Sequence, residues 1–259
     1  GAAALFLPET ELENALTILA NHGQSRRSRE SEHPMARRHP ASPQLPMPTW
    51  GPTEVSGSAM SALDRWFVEL VQANPQLRIR IGNPDELASN KMGATLALLK
   101  HRVNVPEPGV PESTDGSVVT ALNEEAVAAA ALANKGGLNL IVSYEAFAVK
   151  MLGLMRQEII FARRQKELGQ PPGWISVPLI VTSHTWENSK NEQSHQDPTI
   201  GEALLGEMSD TARVLFPVDE NTASAALRAV YASRGQVACV VVSKRDTPNH
   251  FNAAAAQSL

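Results

Sequence analysis

Disulfide scaffolds are the first class that this sequence excludes. Its 259 residues hold a single cysteine, Cys239, so no bridge can form within the chain. That usage fits a reducing compartment, and a cytoplasmic location is the expectation. Cys239 stands inside an apolar run and reads as a small buried apolar residue. Long hydrophobic runs are missing too. Nothing approaches the ~20 apolar residues that a bilayer span needs, so no membrane partner is expected. The apolar start, Gly1-Ala2-Ala3-Ala4-Leu5-Phe6-Leu7, is short, has no basic flank and runs into Pro8-Glu9, unlike a signal peptide. Basic charge is not in excess. A formal charge of -4 and a pI near 6.0 argue against a general nucleic-acid binder, which gains its affinity by neutralising phosphates. Familiar catalytic signatures are absent as well: no Walker A pattern, no GxGxxG after a strand, no HExxH, no GxSxG. No His and Cys pair has zinc-ligand spacing, and no metal site is expected in the chain.

What is present can build a core. The apolar fraction is 42%, and the length suffices for one large domain or two small ones. Residues 8–21 read as a short helix, with Leu12, Leu16 and Leu19 at helical spacing. Residues 24–52 hold five Arg among many Pro and Ser, and read as a linker or an arm. The expected division is therefore a helix and arm over 1–56, an α/β domain over 57–251 and a tail over 252–259. Within the domain, 58–73 is an amphipathic helix and 77–81 alternates as a strand. Residues 94–99 are ambiguous between helix and strand, and 103–117 read as irregular. Ala-rich 123–134 is a helix, 138–142 a strand, and 146 to about 167 a long helix. Residues 175–182 form a buried strand, 199–208 a helix, 213–217 a short strand, 220–233 a helix and 236–242 a strong buried strand. Strands alternating with helices predict an α/β fold, a mainly parallel sheet with helices on both faces.

Four polar segments follow predicted strands: 82–90, 143–145, 183–198 and 243–246. In a parallel sheet all four lie along one edge, where ligands of open α/β sheets bind. The longest, 183–198, carries His184 and His195, too few donors for a metal centre. His184 reads as hydrogen-bonding within its loop, and His195 is balanced between a turn role and a ligand role. Glu145 stands one step past a strand, in the first turn of a helix. Either it is a solvated carboxylate at the helix dipole, or it is partly desolvated and suited to proton transfer.

The segments Asn83-Pro84-Asp85-Glu86-Leu87-Ala88-Ser89-Asn90, Ser143-Tyr144-Glu145-Ala146-Phe147, Ser183-His184-Thr185-Trp186 and Ser194-His195-Gln196-Asp197-Pro198 resemble phosphoketolase motifs, in the same order. The resemblance spans roughly residues 50–251. It implies a transketolase-like pyrimidine domain, which binds the aminopyrimidine ring of thiamine diphosphate. The implied reaction cleaves a ketose phosphate with inorganic phosphate to give acetyl phosphate. The resemblance makes Glu145 the glutamate that hydrogen-bonds N1′ of that ring and favours its imino tautomer. It places Phe147, Glu86 and Ser89 near the cofactor, and makes His195 an active-site proton carrier. It puts Lys244 at the phosphate end of the substrate, with Asn188, Lys190 and Asn191 along the substrate. Where the family pattern reads Gln-Asp-His-Asn-Gly, this chain reads Asn188-Ser189-Lys190-Asn191-Glu192. A lysine in place of a histidine replaces a group that titrates near neutrality by one that stays charged. That departure leaves room for a transketolase-like transfer. A non-catalytic interaction module that keeps the fold is the other alternative.

No Gly-Asp-Gly with a distal Asn occurs, so the ligands for Mg2+ and the diphosphate are expected in another domain or subunit. The chain then reads as the central third of the enzyme, incompetent alone, with a homodimer as the implied assembly.

Overall fold

The computed structural model describes residues 7–27, 42–84, 87–185, 187, 194 and 196–258. Packing divides the chain into two units, Gly1–Arg38 and His39–Leu259. The first contains α1 (Glu9–Arg27). The second contains everything that follows.

Two chain orders of strands build this second unit. A short antiparallel pair joins β1 (Ser56–Ser58) to β10 (Asp246–Pro248). The main sheet has eight strands: β2 (Ile79–Asn83), β3 (His101–Arg102), β4 (Glu112–Ser113), β5 (Val118–Thr120), β6 (Leu138–Tyr144), β7 (Val177–Thr182), β8 (Ala212–Leu215) and β9 (Val237–Val241). Their spatial order is β4-β3-β5-β2-β6-β7-β9-β8, and every pairing is parallel. The helices are α2 (Ala59–Ala73), α3 (Gly93–Leu99), α4 (Glu124–Leu132), α5 (Glu145–Ala148), α6 (Leu152–Glu167), α7 (Thr199–Leu205), α8 (Glu220–Ala232) and α9 (Ala253–Gln257).

Both sheet faces are covered, as the alternation of side chains across a strand requires. Leu138, Leu140 and Val142 of β6, with Ile180 of β7 and Val240 of β9, face α2 and α8. Ile141, Val177, Leu179, Val181, Val237, Cys239 and Val241 face the opposite way, against α4, α6 and α7. The approach of α4 to β2 is so close that a Cβ on Gly82 would lie 2.3 Å from the Val127 carbonyl oxygen. The ambiguous segment 94–99 is the helix α3. Within the segment expected to be irregular, Glu112 and Ser113 form β4.

Residues 42–52, expected as part of an arm, are packed on the body. The Trp66 indole donates to the Pro46 carbonyl at 3.1 Å, and Asn74 exchanges hydrogen bonds with the Gln44 backbone at 2.7 and 2.8 Å. The segment expected as a tail includes α9, whose first turn is capped by Asn252. Asp219 caps α8 in a reciprocal box with Thr222. Its second oxygen accepts from the His250 and Phe251 amides at 2.8 and 3.0 Å, tying the chain's last segment to that helix.

Candidate active site

Parallel pairing in the order β2-β6-β7-β9 sets the four polar strand ends side by side. The register pairs Tyr144 with Thr182, so the start of α5 abuts the loop that leaves β7. That loop opens on Ser183 with φ +51°, a left-handed conformation costly for a residue with a Cβ. Ser183 is buried, and its hydroxyl has no hydrogen-bond partner among the described residues.

Glu145 is 3% exposed and is not a solvated helix-dipole carboxylate. Three donors converge on one of its oxygens. The Thr185 amide and hydroxyl each donate to Oε2 at 2.7 Å, and the Asp197 amide donates at 3.1 Å. No described residue donates to Oε1.

Tyr144 is the hub of the remaining predicted residues. Its hydroxyl lies 2.8 Å from Ser89 Oγ. Its ring meets Phe147 edge-on at 6.0 Å, and Lys244 Nζ stands 4.7 Å above it. Ser89, Glu145, Phe147 and Lys244 are thus gathered at one sheet edge by two or fewer steps through Tyr144. Sequence reading used Tyr144 only as a flank. Its one signal was an aromatic residue at the end of a buried strand. Glu86, Asn188, Lys190, Asn191 and His195 lie outside the described residues.

Glu187 was missed as well. It is 6% exposed, and its Oε1 accepts from Ser243 Oγ, the Lys244 amide and the Arg245 amide at 3.0, 3.1 and 3.2 Å. It clamps the loop after β7 to the end of β9 and so fixes the backbone of Lys244. Its Oε2 is buried without a partner among the described residues. His184 bonds within its loop through its backbone, whose carbonyl accepts from the Glu187 amide at 2.9 Å, while its ring Nδ1 is buried with no partner among the described residues. Burial holds the His184 ring below its ordinary pKa, and the carboxylates of Glu187 and Glu145 only partly offset this. Behind Glu145, burial first, and then that carboxylate, push the Cys239 thiol up to about 12. Cys239 is therefore an inert core residue. Among the described residues no cluster of His, Cys, Asp and Glu could hold a metal ion, and no helix is long and apolar enough to cross a membrane.

The D-xylulose 5-phosphate/D-fructose 6-phosphate phosphoketolase family matches residues 61–233. A probable phosphoketolase of Bradyrhizobium diazoefficiens is 30% identical over 178 residues, 66% of this chain and 22% of that protein. One from Streptomyces avermitilis is 30% identical over 172 residues, 64% of this chain and 21% of that protein. The chain thus spans about a quarter of the length of these curated relatives. In fold it is similar to Pichia stipitis transketolase in complex with sedoheptulose 7-phosphate, with a TM-score of 0.61, 15% identity and coverage of 78% of this chain and 28% of that one. Leishmania mexicana transketolase gives 0.58 and 19%, over 76% and 27%. Those two likenesses establish a transketolase-like α/β fold, while the family match covers two thirds of the sequence. The chain belongs to the phosphoketolase family.

Proposed function

We propose that this chain supplies the pyrimidine side of a thiamine-diphosphate site in a phosphoketolase-type carbon–carbon lyase. The observation that supports it most directly is Glu145, a buried carboxylate with one oxygen saturated by three donors and the other unclaimed by any described residue. Such a group suits an aminopyrimidine nitrogen, which needs one fixed acceptor able to share a proton. The edge-on Tyr144 and Phe147 rings offer an apolar wall beside it. The residues present therefore fit the pyrimidine half of the cofactor. Bound thiamine diphosphate supplies the carbon nucleophile and electron sink for breaking a bond next to a carbonyl.

The chain's own part is orientation and proton handling. Thr185 and the Asp197 amide hold Oε2 still, so that Oε1 has one direction in which to exchange a proton. Phe147 excludes water from one side. His195 serves as the second proton carrier, acting on substrate hydroxyls. Lys244, its backbone fixed by Glu187, presents a point charge to the substrate phosphate. Glu86 and Ser89 flank the cofactor, and Asn188, Lys190 and Asn191 line the substrate. Mg2+ and the diphosphate are held by a separate domain or subunit, and the working assembly is a homodimer in the cytoplasm. In this scheme residues 57–251 form the cofactor-binding domain.

The test is acetyl phosphate formation from xylulose 5-phosphate or fructose 6-phosphate plus phosphate, with a diphosphate-binding domain supplied. Product that disappears in Glu145→Gln supports the reading. Aldehyde transfer between sugars without acetyl phosphate would replace it with a transketolase-type activity. An assembly that binds thiamine diphosphate equally well with and without this chain would leave only a non-catalytic module.

A further inference from the structure

A second charged site lies on the α4 face of the sheet, away from the candidate active site. Parallel strands covered on both faces are usually apolar throughout. Here β2 carries Arg80 in its interior, and Arg78 directly precedes it. Register brings a third arginine alongside. Gly82 of β2 pairs with Val119 of β5, and Val118 pairs with His101, which sets Arg102 next to Val119. The three arginines line a depression of about 340 Å3 together with Val119, Ala130, Ala133 and Asn134.

No described carboxylate pairs with any of the three. Arg78 Nε donates to Asn134 Oδ1 at 2.7 Å, and Arg102 reaches only the Gly116 carbonyl at 3.5 Å. Burial first, then Arg102 and Arg78, pull Arg80 below its ordinary pKa, so the mutual repulsion is not relieved. The carbonyl end of α4 borders the depression, but a helix terminus offers only about half a negative charge. Three full positive charges remain on a chain whose net charge is -4.

We infer that this depression binds a phosphate-bearing anion with at least two negative charges. Guanidinium forks match phosphate oxygens in pairs, and a multivalent anion removes the repulsion that the fold maintains. The volume lies at the small end of the usual range for ligand pockets. The depression shares no residue with the Glu145, Tyr144 and Lys244 cluster, so the site does not depend on the proposed reaction.

The probe is tripolyphosphate, titrated calorimetrically into the complete 259-residue chain at low salt. One saturable site is expected. Arg80→Gln and Arg102→Gln should each weaken it about tenfold or more, the worth of a charge-assisted hydrogen bond, while Lys244→Gln leaves it unchanged. Arg102 is exposed, so its variant carries the test should Arg80→Gln fail to fold. Absence of saturable binding would overturn the inference. So would undiminished wild-type affinity in both arginine variants, loss in Lys244→Gln alone, or an oligo-glutamate peptide binding as tightly as tripolyphosphate, which would mark the patch as a contact for an acidic protein segment.

Discussion

Glu145 and Asp219 are both almost fully buried carboxylates that start a helix, and they use their oxygens differently. Asp219 spends both. Oδ1 takes the Thr222 amide and hydroxyl, and Oδ2 takes the His250 and Phe251 amides. Burial raises its pKa, but the hydrogen bonds from Thr222, Phe251 and His250 outweigh that and hold it below the ordinary carboxylate value. Glu145 receives three donors on Oε2 and none, among the described residues, on Oε1. A carboxylate whose oxygens are all engaged holds the fold together. One with an oxygen in reserve is placed to receive something else. Glu187 resembles Glu145 in this respect, with Oε1 triply bonded and Oε2 unpartnered, yet its donors tie two loops together.

The comparison is open to direct attack. The largest expected effect is in Glu145→Gln, which keeps an oxygen for Thr185 but cannot share a proton. Activity of the completed assembly should fall about 10²–10⁴-fold, as for loss of a general acid–base group, with the melting temperature nearly unchanged. A collapse in stability instead would place Glu145 with Asp219 as a structural group. Asp219→Ala should do the reverse. It removes a cap and leaves buried amides unpaired, costing roughly 2 kcal/mol or more, read as a drop of several degrees in thermal unfolding. Next comes Thr185→Val, which deletes one donor to a charged acceptor. A loss of about tenfold in kcat/KM, equivalent to the ~1.5 kcal/mol of such a bond, is expected. An unchanged rate would show that Oε2 needs no fixing.

Two pH effects are smaller. Asp219 has a folded pKa below its unfolded value, so its contribution is present above that unfolded value and is lost as pH falls through the folded one. Unfolding curves of the wild type and Asp219→Asn should converge in acid. His184 is also lowered, so the unfolded chain binds its proton first as pH drops below the ordinary histidine range. Replacing His184 by Gln should flatten the stability profile between neutrality and mild acid, measured by denaturant titration. A profile identical to that of the wild type would mean that the ring is solvated.

Much of this was readable in advance, for reasons specific to certain segments. Strands β6, β7 and β9 announce themselves because burial on both faces demands continuous apolar runs. Helices α2 and α8 carry one apolar stripe each and a clear end signal. Strands β3, β4 and β5 hold two or three residues apiece, too few for a period, and are built edge on edge, β5 on β2, β3 on β5 and β4 on β3. The packing of residues 42–52 was hidden for a similar reason. Proline-rich sequence lacks periodicity, and its anchors, Trp66 and Asn74, are carried by and next to α2.

The sequence by itself determined the alternation of strands and helices, hence a parallel sheet with its polar loops on one edge. It also nominated Ser89, Glu145 and Phe147 through their motifs, and Lys244 through the family resemblance alone. Only the tertiary structure decided what surrounds them. Thr185 and Asp197 reach Glu145 from 40 and 52 residues away, and Glu187 reaches Ser243 across 56. Local pattern carries information over a few residues, because that is the range of backbone hydrogen bonding. Which oxygen is saturated, which hydroxyl is left over and which arginines crowd together depend on strand order, and strand order is settled by the packing of the whole chain.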